Sequence, residues 1–352
     1  MTKKTILVAP LFWGLGHAAR CIPIINALLS HNYNVLLGCD GAALLFLRKE
    51  FPSLSFVELP SYNIVYPNKG KHFKWKMLLN LPTIWKAILS EKKIVQALVS
   101  EKKIDGIISD NRFGVRNSKV ASVFITHQLN VLTGSTTFLS SKIHQRIISK
   151  FDQCWVPDID SEENISGKLG RLKKHTNSIQ YIGPLSRFHK KKLPIKNDIL
   201  ALVSGPEPQR TFFENKLLEA FHLSEKTITI VQGVVEEVQR VHTQGNIRVV
   251  NFMLSTELEK TINESDIIVS RSGYTTILDL TILGKKAFFI PTPGQYEQIY
   301  LAKRCKSLGK VGSCTQENFQ VKQLDEIINY SGLDDYKTVP NFKVLFSLFE
   351  GK

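Results

Sequence analysis

The sequence predicts an α/β protein built from two parallel-sheet domains that face a central cleft. Three observations carry this. Near-continuous apolar runs alternate with amphipathic helical stretches along almost the whole chain. Two such series are separated by a single segment rich in proline and lysine. A length of 352 residues exceeds what one hydrophobic core usually serves. The composition, 43% hydrophobic and 22% charged, excludes a largely disordered or fibrous chain.

In the first series the expected strands are Thr5–Pro10, Asn34–Gly38, Ser55–Leu59, Ile104–Ser109, Ala121–Thr126, Cys154–Val156 and Ser178–Ile182. Helices are expected between them at Ala18–Leu29, Ala42–Phe51, Thr83–Ser100 and Ser140–Ser149. Gly183 to Asn197 combines a turn, a basic run and two prolines, the composition of a linker. The second series has strands at Asp198–Ser204, Thr227–Gln232, Arg248–Phe252, Asp266–Ser270 and Lys286–Pro291. Its helices are Gln209–His222, Thr256–Ser265, Thr275–Leu283 and Tyr296–Leu308, followed by Val321–Tyr330 and Asn341–Phe349. The implied division is residues 1–184, a linker at 185–197, a second domain at 198–335, and a final helix at 336–352 packing back toward the first domain.

Lys and Arg number 46 against 31 Asp and Glu, a formal net charge of +15. Such a field attracts a polyanion, an anionic membrane surface or a phosphorylated substrate, and it equally suits a basic host proteome. No nucleic-acid-binding motif accompanies it, so no nucleic-acid partner is expected. Thr5–Leu11 reads as a first strand rather than a signal peptide, and no run approaches the length of a spanning helix. Five scattered cysteines without a C-x-x-C pair argue against disulfides and zinc, and suit a reducing cytoplasm.

Four turns could carry chemistry. The first strand empties into Pro10-Leu-Phe-Trp-Gly14-Leu-Gly16-His17, where Gly14 and Gly16 permit a tight turn and a helix start points free N–H groups outward. Its alternative role is strand-to-helix packing. It is neither a dinucleotide fingerprint nor a phosphate loop with Gly-Lys-Ser/Thr. Ser204 and Gly205 leave the first strand of the second series. Ser270-Arg271-Ser272-Gly273, with Thr275 after it, leaves a later strand toward a helix holding Asp279. Pro291 to Gln298 leads into a helix opened by Glu297 and Gln298. Backbone N–H groups and hydroxyls at such strand ends suit a phosphate, and Asp279 suits a ribose diol. Gly273 as a plain turn, and Asp279 and Glu297 as favourable helix-start charges, are the alternatives.

Together these residues resemble the GT-B glycosyltransferases of family 28, the MurG-type UDP-N-acetylglucosamine transferases, along roughly residues 5 to 310. The resemblance implies the GT-B fold, two Rossmann-like domains about a cleft, and inverting, metal-independent transfer of N-acetylglucosamine or a related hexose from a UDP-sugar to a hydroxyl acceptor. It places Gly14, Gly16 and His17 against diphosphate and acceptor. His127 and Asn130, in Thr126-His-Gln-Leu-Asn130, fall near the acceptor. Arg187, Ser204, Gly205, Phe252, Met253, Arg271, Ser272, Gly273, Thr275, Asp279, Glu297 and Gln298 fall on the donor. Departures are the missing leading Gly-Gly-Thr of the first loop and Pro206, Glu207 and Pro208 in the phosphate loop.

His17 is the expected base, since an ordinary pKa near 6.5 lets it accept a proton at neutral pH, with Asp110 as the alternative. No cofactor or metal is expected beyond the UDP-sugar co-substrate. Aromatic and basic residues over 62–86 suit an interfacial membrane patch, a lipid-linked acceptor and a cytoplasmic protein peripheral on the inner face of the plasma membrane; an amphipathic core helix is the alternative. Gly16-His17-Ala-Ala-Arg20-Cys21 also resembles the turn of UDP-sugar hydrolases, which makes hydrolysis the competing activity.

Overall fold

A computed structural model describes residues 3–63, 73–172, 178–334, 336 and 340–351. Two seven-stranded sheets organise them. The first contains β1 (Thr5–Pro10), β2 (Asn34–Cys39), β3 (Phe56–Glu58), β4 (Gly106–Asp110), β5 (Ala121–Ile125), β6 (Gln153–Val156) and β7 (Ile179–Tyr181). All are parallel, in the order β3-β2-β1-β4-β5-β6-β7. Every residue of β4 and β5 is buried, as apolar strands covered on both faces require. Covering them are α1 (Gly16–Ser30), α2 (Gly41–Glu50), α3 (Phe73–Ser100) and α4 (Thr137–Ile148).

The second sheet runs β10-β11-β9-β8-β12-β13-β14. Its strands are β8 (Asn197–Leu202), β9 (Ile228–Val231), β10 (Val241–Gln244), β11 (Ile247–Val250), β12 (Ser265–Ser270), β13 (Lys286–Phe289) and β14 (Gly312–Ser313). Four helices accompany them: α5 (Gln209–Phe221), α6 (Ser255–Asn263), α7 (Tyr274–Leu283) and α8 (Tyr296–Ser307). In each sheet the strand order reverses direction about a central pair, β1 with β4 and β8 with β12. Loops at the carboxyl ends diverge there and leave a crevice.

Register decides which residues meet in that crevice. Pro10 pairs with Asp110, so the glycine turn leaves the sheet beside an aspartate a hundred residues later. Leu202 pairs with Ser270, which sets Ser204-Gly205 beside Ser272-Gly273. The lobes touch through α1 and α7, where Thr275 Oγ1 donates to the Gly16 carbonyl at 3.0 Å. A Cβ on Gly16 would lie 3.3 Å from that hydroxyl. Gly16 therefore serves close approach of the lobes as well as the turn.

The chain returns to the first lobe at its end, through α9 (Phe342–Phe346) and a 3₁₀ turn at Ser347–Phe349. Phe346 lies 5.4 Å from His31 and 5.7 Å from Tyr33, and Phe349 lies 6.4 Å from Trp155, centroid to centroid. Gly106 is what admits it, for a Cβ there would sit 2.5 Å from the Phe349 ring. Phe349→Ala is expected to cost about 3–5 kcal/mol in denaturant unfolding. Val344→Ala, at a position 64% exposed one turn away, should stay within about 0.5 kcal/mol.

Several elements differ from expectation: β14 was not expected, and the helix expected at Val321–Tyr330 is a 3₁₀ helix over Val321–Asn329. α3 begins ten residues before Thr83 and continues through Pro82, because the amphipathic run on both sides outlasts one missing N–H donor. β10 was not expected. It is exposed at every position and pairs antiparallel with β11 across Gly245-Asn246.

Candidate functional site

A cavity of about 1170 Å³ occupies the crevice, lined from both lobes. On the first lobe its floor is a buried polar cluster. The Asp110 carboxylate, fully buried at the end of β4, receives Arg20 Nε at 2.5 Å on Oδ2, and Arg20 Nη2 and His17 Nδ1 on Oδ1, the latter at 2.8 Å. Burial alone would raise the Asp110 pKa, but Arg20 and His17 hold it well below the usual carboxylate range. Asp110 is thus an anion aimed at His17.

That anion sets the imidazole's tautomer. Nδ1 also lies 2.8 Å from Arg20 Nη2 and cannot both accept there and donate to Asp110. A lone pair against a carboxylate is repulsive, so the proton belongs on Nδ1, which leaves Nε2 as an acceptor. Burial pushes the His17 pKa below its ordinary value, with Asp110 opposing and Arg20 assisting. The ring is neutral at pH 7 and can take a proton.

Beyond Arg20 the cluster crosses to the second lobe. Arg20 Nη1 reaches His127 Nδ1 at 3.1 Å, and His127 Nε2 meets Glu297 Oε1 at 2.7 Å. Gln128 Nε2 donates to Glu297 Oε2. The Tyr274 ring stacks on His127 at 4.0 Å and 8° between planes.

At the other end of the cavity, Gly14 and Gly205 face each other, both with positive φ. Helices α1, α7 and α8 all begin at the cleft without a side-chain cap. Three helix N-termini without a side-chain cap form a ready site for an anion. Phe252 and Met253 line the cavity next to Arg187, whose guanidinium lies between Phe46 and Phe188 and donates to Ser255 Oγ at 3.2 Å. Arg187 Nε is buried and unpartnered. Asp279 accepts from Ser186 Oγ at 2.6 Å; burial pushes its pKa up to about 6, with Arg187 and Ser186 opposing.

Comparison with known proteins adds to this geometry. Residues 203–337 match the glycosyltransferase family 28 C-terminal domain. The second lobe is a family 28 domain. A curated relative, the UDP-N-acetylglucosamine--N-acetylmuramyl-(pentapeptide) pyrophosphoryl-undecaprenol N-acetylglucosamine transferase of Buchnera aphidicola, is 27% identical over 213 residues, covering 58% of this chain and 56% of the relative. The chain spans a little over half the length of the curated relatives it matches in this way. MurG of Acinetobacter baumannii superposes with a TM-score of 0.57 at 14% identity, covering 100% of both chains. The spinosyn rhamnosyltransferase SpnG superposes with a TM-score of 0.65 at 11% identity, covering 98% and 99%. The fold is GT-B, an α/β architecture of two parallel-dominated sheets.

Most of the residues singled out from sequence come together in this one cavity. His17, Gly14, Gly16, His127, Arg187, Ser204, Gly205, Phe252, Met253, Gly273, Thr275, Asp279, Glu297 and Gln298 all line it. Four do not, each for a physical reason. Asp110 lies beneath His17 with both oxygens engaged, so it orients the imidazole and does not reach the cavity. Arg271 is turned into the interior of the family 28 domain, where it donates to the Ile290, Pro291 and Gln209 carbonyls. Ser272 is buried, with its hydroxyl on the Gln298 carbonyl. Asn130 braces a loop by donating to the Lys168 and Arg171 carbonyls.

Other expectations change meaning. The Glu207 charge, a departure in the phosphate loop, is taken up by Arg210 at 2.6 Å and by the Thr211 N–H. Arg20 and Cys21 of the hydrolase-like turn both pack on Asp110, the thiol at 3.7 Å, so that pattern adds nothing to the hydrolytic reading. Of the segment 62–86, residues 64–72, with Tyr66, Lys69 and Lys71, lie outside the described residues, as do the side chains of Phe73, Lys74, Trp75 and Lys76. Tyr274, Gln128 and His144 were not singled out. Tyr274 directly follows the Ser270–Gly273 turn, but its stacking on His127 depends on the opposite lobe.

Proposed function

We propose that the chain is a glycosyltransferase that moves N-acetylglucosamine or a related hexose from a UDP-sugar to a hydroxyl acceptor, with inversion and without a metal. The observation that carries this is a neutral, Asp110-oriented histidine in the same cleft as uncapped helix starts, two of them in a family 28 domain. The acceptor hydroxyl oxygen attacks the anomeric carbon as His17 Nε2 takes its proton. The bond from that carbon to the diphosphate oxygen breaks, and a single displacement inverts the centre. Asp110 remains ionised and stabilises the imidazolium.

The leaving diphosphate gains charge at the starts of α1, α7 and α8, where fixed amides stabilise it. Arg187 completes the donor site, with Phe252 and Met253 at the base and Asp279 at the ribose. Gln298, whose Oε1 accepts from the Thr292 N–H, offers its amide NH₂ to the sugar.

The curated relatives' names give a pyrophosphoryl-undecaprenol acceptor, and the surface of the first lobe suits a lipid-linked one. Phe138, Leu139 and Ile143 on α4, and Leu81, Trp85 and Leu89 on α3, are large exposed apolar residues interspersed with Lys142, Arg146 and Lys86. No helix among the described residues is long and apolar enough to cross a membrane. A peripheral position on the inner membrane face fits this surface.

The test is ligand-induced thermal stabilisation across nucleotides and UDP-sugars, followed by product analysis with lipid-extract acceptors. UDP-N-acetylglucosamine at a hundred times its Kd should stabilise the chain by about 2.7 kcal/mol. Equal stabilisation by purine nucleotides, or none by any uridine compound, overturns the reading.

A further inference from the structure

The polar chain that begins at His17 ends in the other lobe, and its direction is determined by chemistry. Arginine only donates, so His127 Nδ1 must accept from Arg20 Nη1. A neutral His127 then carries its proton on Nε2 and donates it to Glu297 Oε1 at 2.7 Å. Everything that fixes this ring from the far side belongs to the family 28 domain: Glu297 at the start of α8 and the stacked Tyr274 at the start of α7. Tyr274 is itself tied back by donating to the Pro157 carbonyl at 2.8 Å.

From this juxtaposition we infer that Glu297 is a positioning residue that couples cleft closure to the base, holding His127 so that Arg20 and Asp110 keep His17 in its proton-accepting tautomer. The inference rests on the transferase reading and goes beyond it, since that reading requires only His17 and Asp110. Glu297 Oε1 and Oε2 are engaged by His127 and Gln128, so it is not a free acceptor for sugar hydroxyls while the lobes meet. If the lobes part, Glu297 and Tyr274 leave together. His127 is then free to rotate, and its Nδ1 need no longer accept from Arg20.

The guanidinium that loses this partner is the one holding both oxygens of Asp110. Arg20 is 2% exposed while the lobes meet, so within the closed cleft no solvent substitutes for His127. The charged and titratable groups facing His17 are Asp110 from β4, Arg20 and Cys21 from α1, His127 from the loop after β5, and Glu297 from α8. Glu297 stays ionised: burial opposes this, but His127, His17 and Arg20 together lower its pKa. Like Asp110, it is a carboxylate electrostatically coupled to His17.

The experiment uses the full chain, ¹⁵N-labelled at histidine, as wild type, Glu297→Gln and Glu297→Ala. Imidazole nitrogen shifts are followed between pH 5 and 8, and steady-state kinetics are run with UDP-N-acetylglucosamine. In the wild type, His17 should carry its proton on Nδ1 and His127 on Nε2. Both variants should move the His17 titration to lower pH by roughly half a unit, because a stabilising negative charge is gone. Turnover should fall about tenfold with KM for the sugar donor within about twofold. Glu297→Gln, which still accepts from His127, should keep the His127 tautomer that Glu297→Ala loses. Unchanged His17 and His127 spectra in Glu297→Ala overturn the coupling. So does a raised donor KM at constant turnover, the mark of a sugar-binding residue. A wild type that releases no UDP from any UDP-sugar defeats the transferase reading instead, and the spectra still decide the coupling.

Discussion

His17→Ala is expected to lower turnover about 10²- to 10⁴-fold while leaving the affinity for UDP-N-acetylglucosamine within about threefold. On the proposed reading the two effects separate because His17 Nε2 takes the acceptor proton, whereas helix starts, Arg187 and Asp279 would hold the donor. The pH dependence gives the same assignment a second test. The base works only when unprotonated, and burial holds its pKa below the ordinary value of 6.5, with Asp110 opposing. Activity should therefore be flat from neutrality upward and fall only as the pH drops through that lowered value. Asp110→Asn should be nearly as damaging. It removes the negative charge that holds the proton on Nδ1 and leaves the Arg20 guanidinium buried beside a neutral amide. A His17→Ala enzyme that turns over at the wild-type rate, measured as UDP released in the presence of acceptor, would refute the role.

Strands buried on both faces were the most legible feature of the chain. Runs such as Ile104–Ser109 and Ala121–Thr126 carry no alternation, because helices cover both faces of their sheet. β10 escaped notice because Val241-His-Thr-Gln244 faces solvent throughout and has no buried side to impose a pattern. The Gly245-Asn246 pair that turns it was the available signal. Within the site, turn residues were legible because backbone freedom and helix starts are local properties. The Asp110 role was not, since it depends on a register that sets residue 110 beside residue 10, and on the Arg20 side chain filling the space between. His127 and Glu297 could be named one at a time. Their contact needs two lobes folded and brought together.

Arg271 gives the sharpest separation between what the linear motif suggests and what the fold does with it. Arg271→Ala is expected to destabilise the family 28 domain by on the order of 3–5 kcal/mol. The guanidinium is fully buried and donates to the carbonyls of Gln209 and Ile290 at 3.0 Å and of Pro291 at 3.2 Å, and to Gln316 Oε1 at 2.6 Å. Its plane lies 4.0 Å over the Phe213 ring. It joins the start of α5 to the loop after β13, so its removal orphans several buried acceptors at about 1–3 kcal/mol each and opens a void beside the ring. Burial lowers its pKa to about 9, which still leaves it charged at neutral pH. Arg271→Lys discriminates between the two roles. A lysine restores the charge that a phosphate would need, but a single ammonium cannot serve acceptors spread around a planar fork. Lysine should therefore recover less than half of the lost stability in denaturant unfolding, and neither variant should change UDP affinity more than about threefold at a temperature where it is folded. An alanine variant that unfolds like the wild type but loses UDP affinity more than about tenfold would return Arg271 to the phosphate.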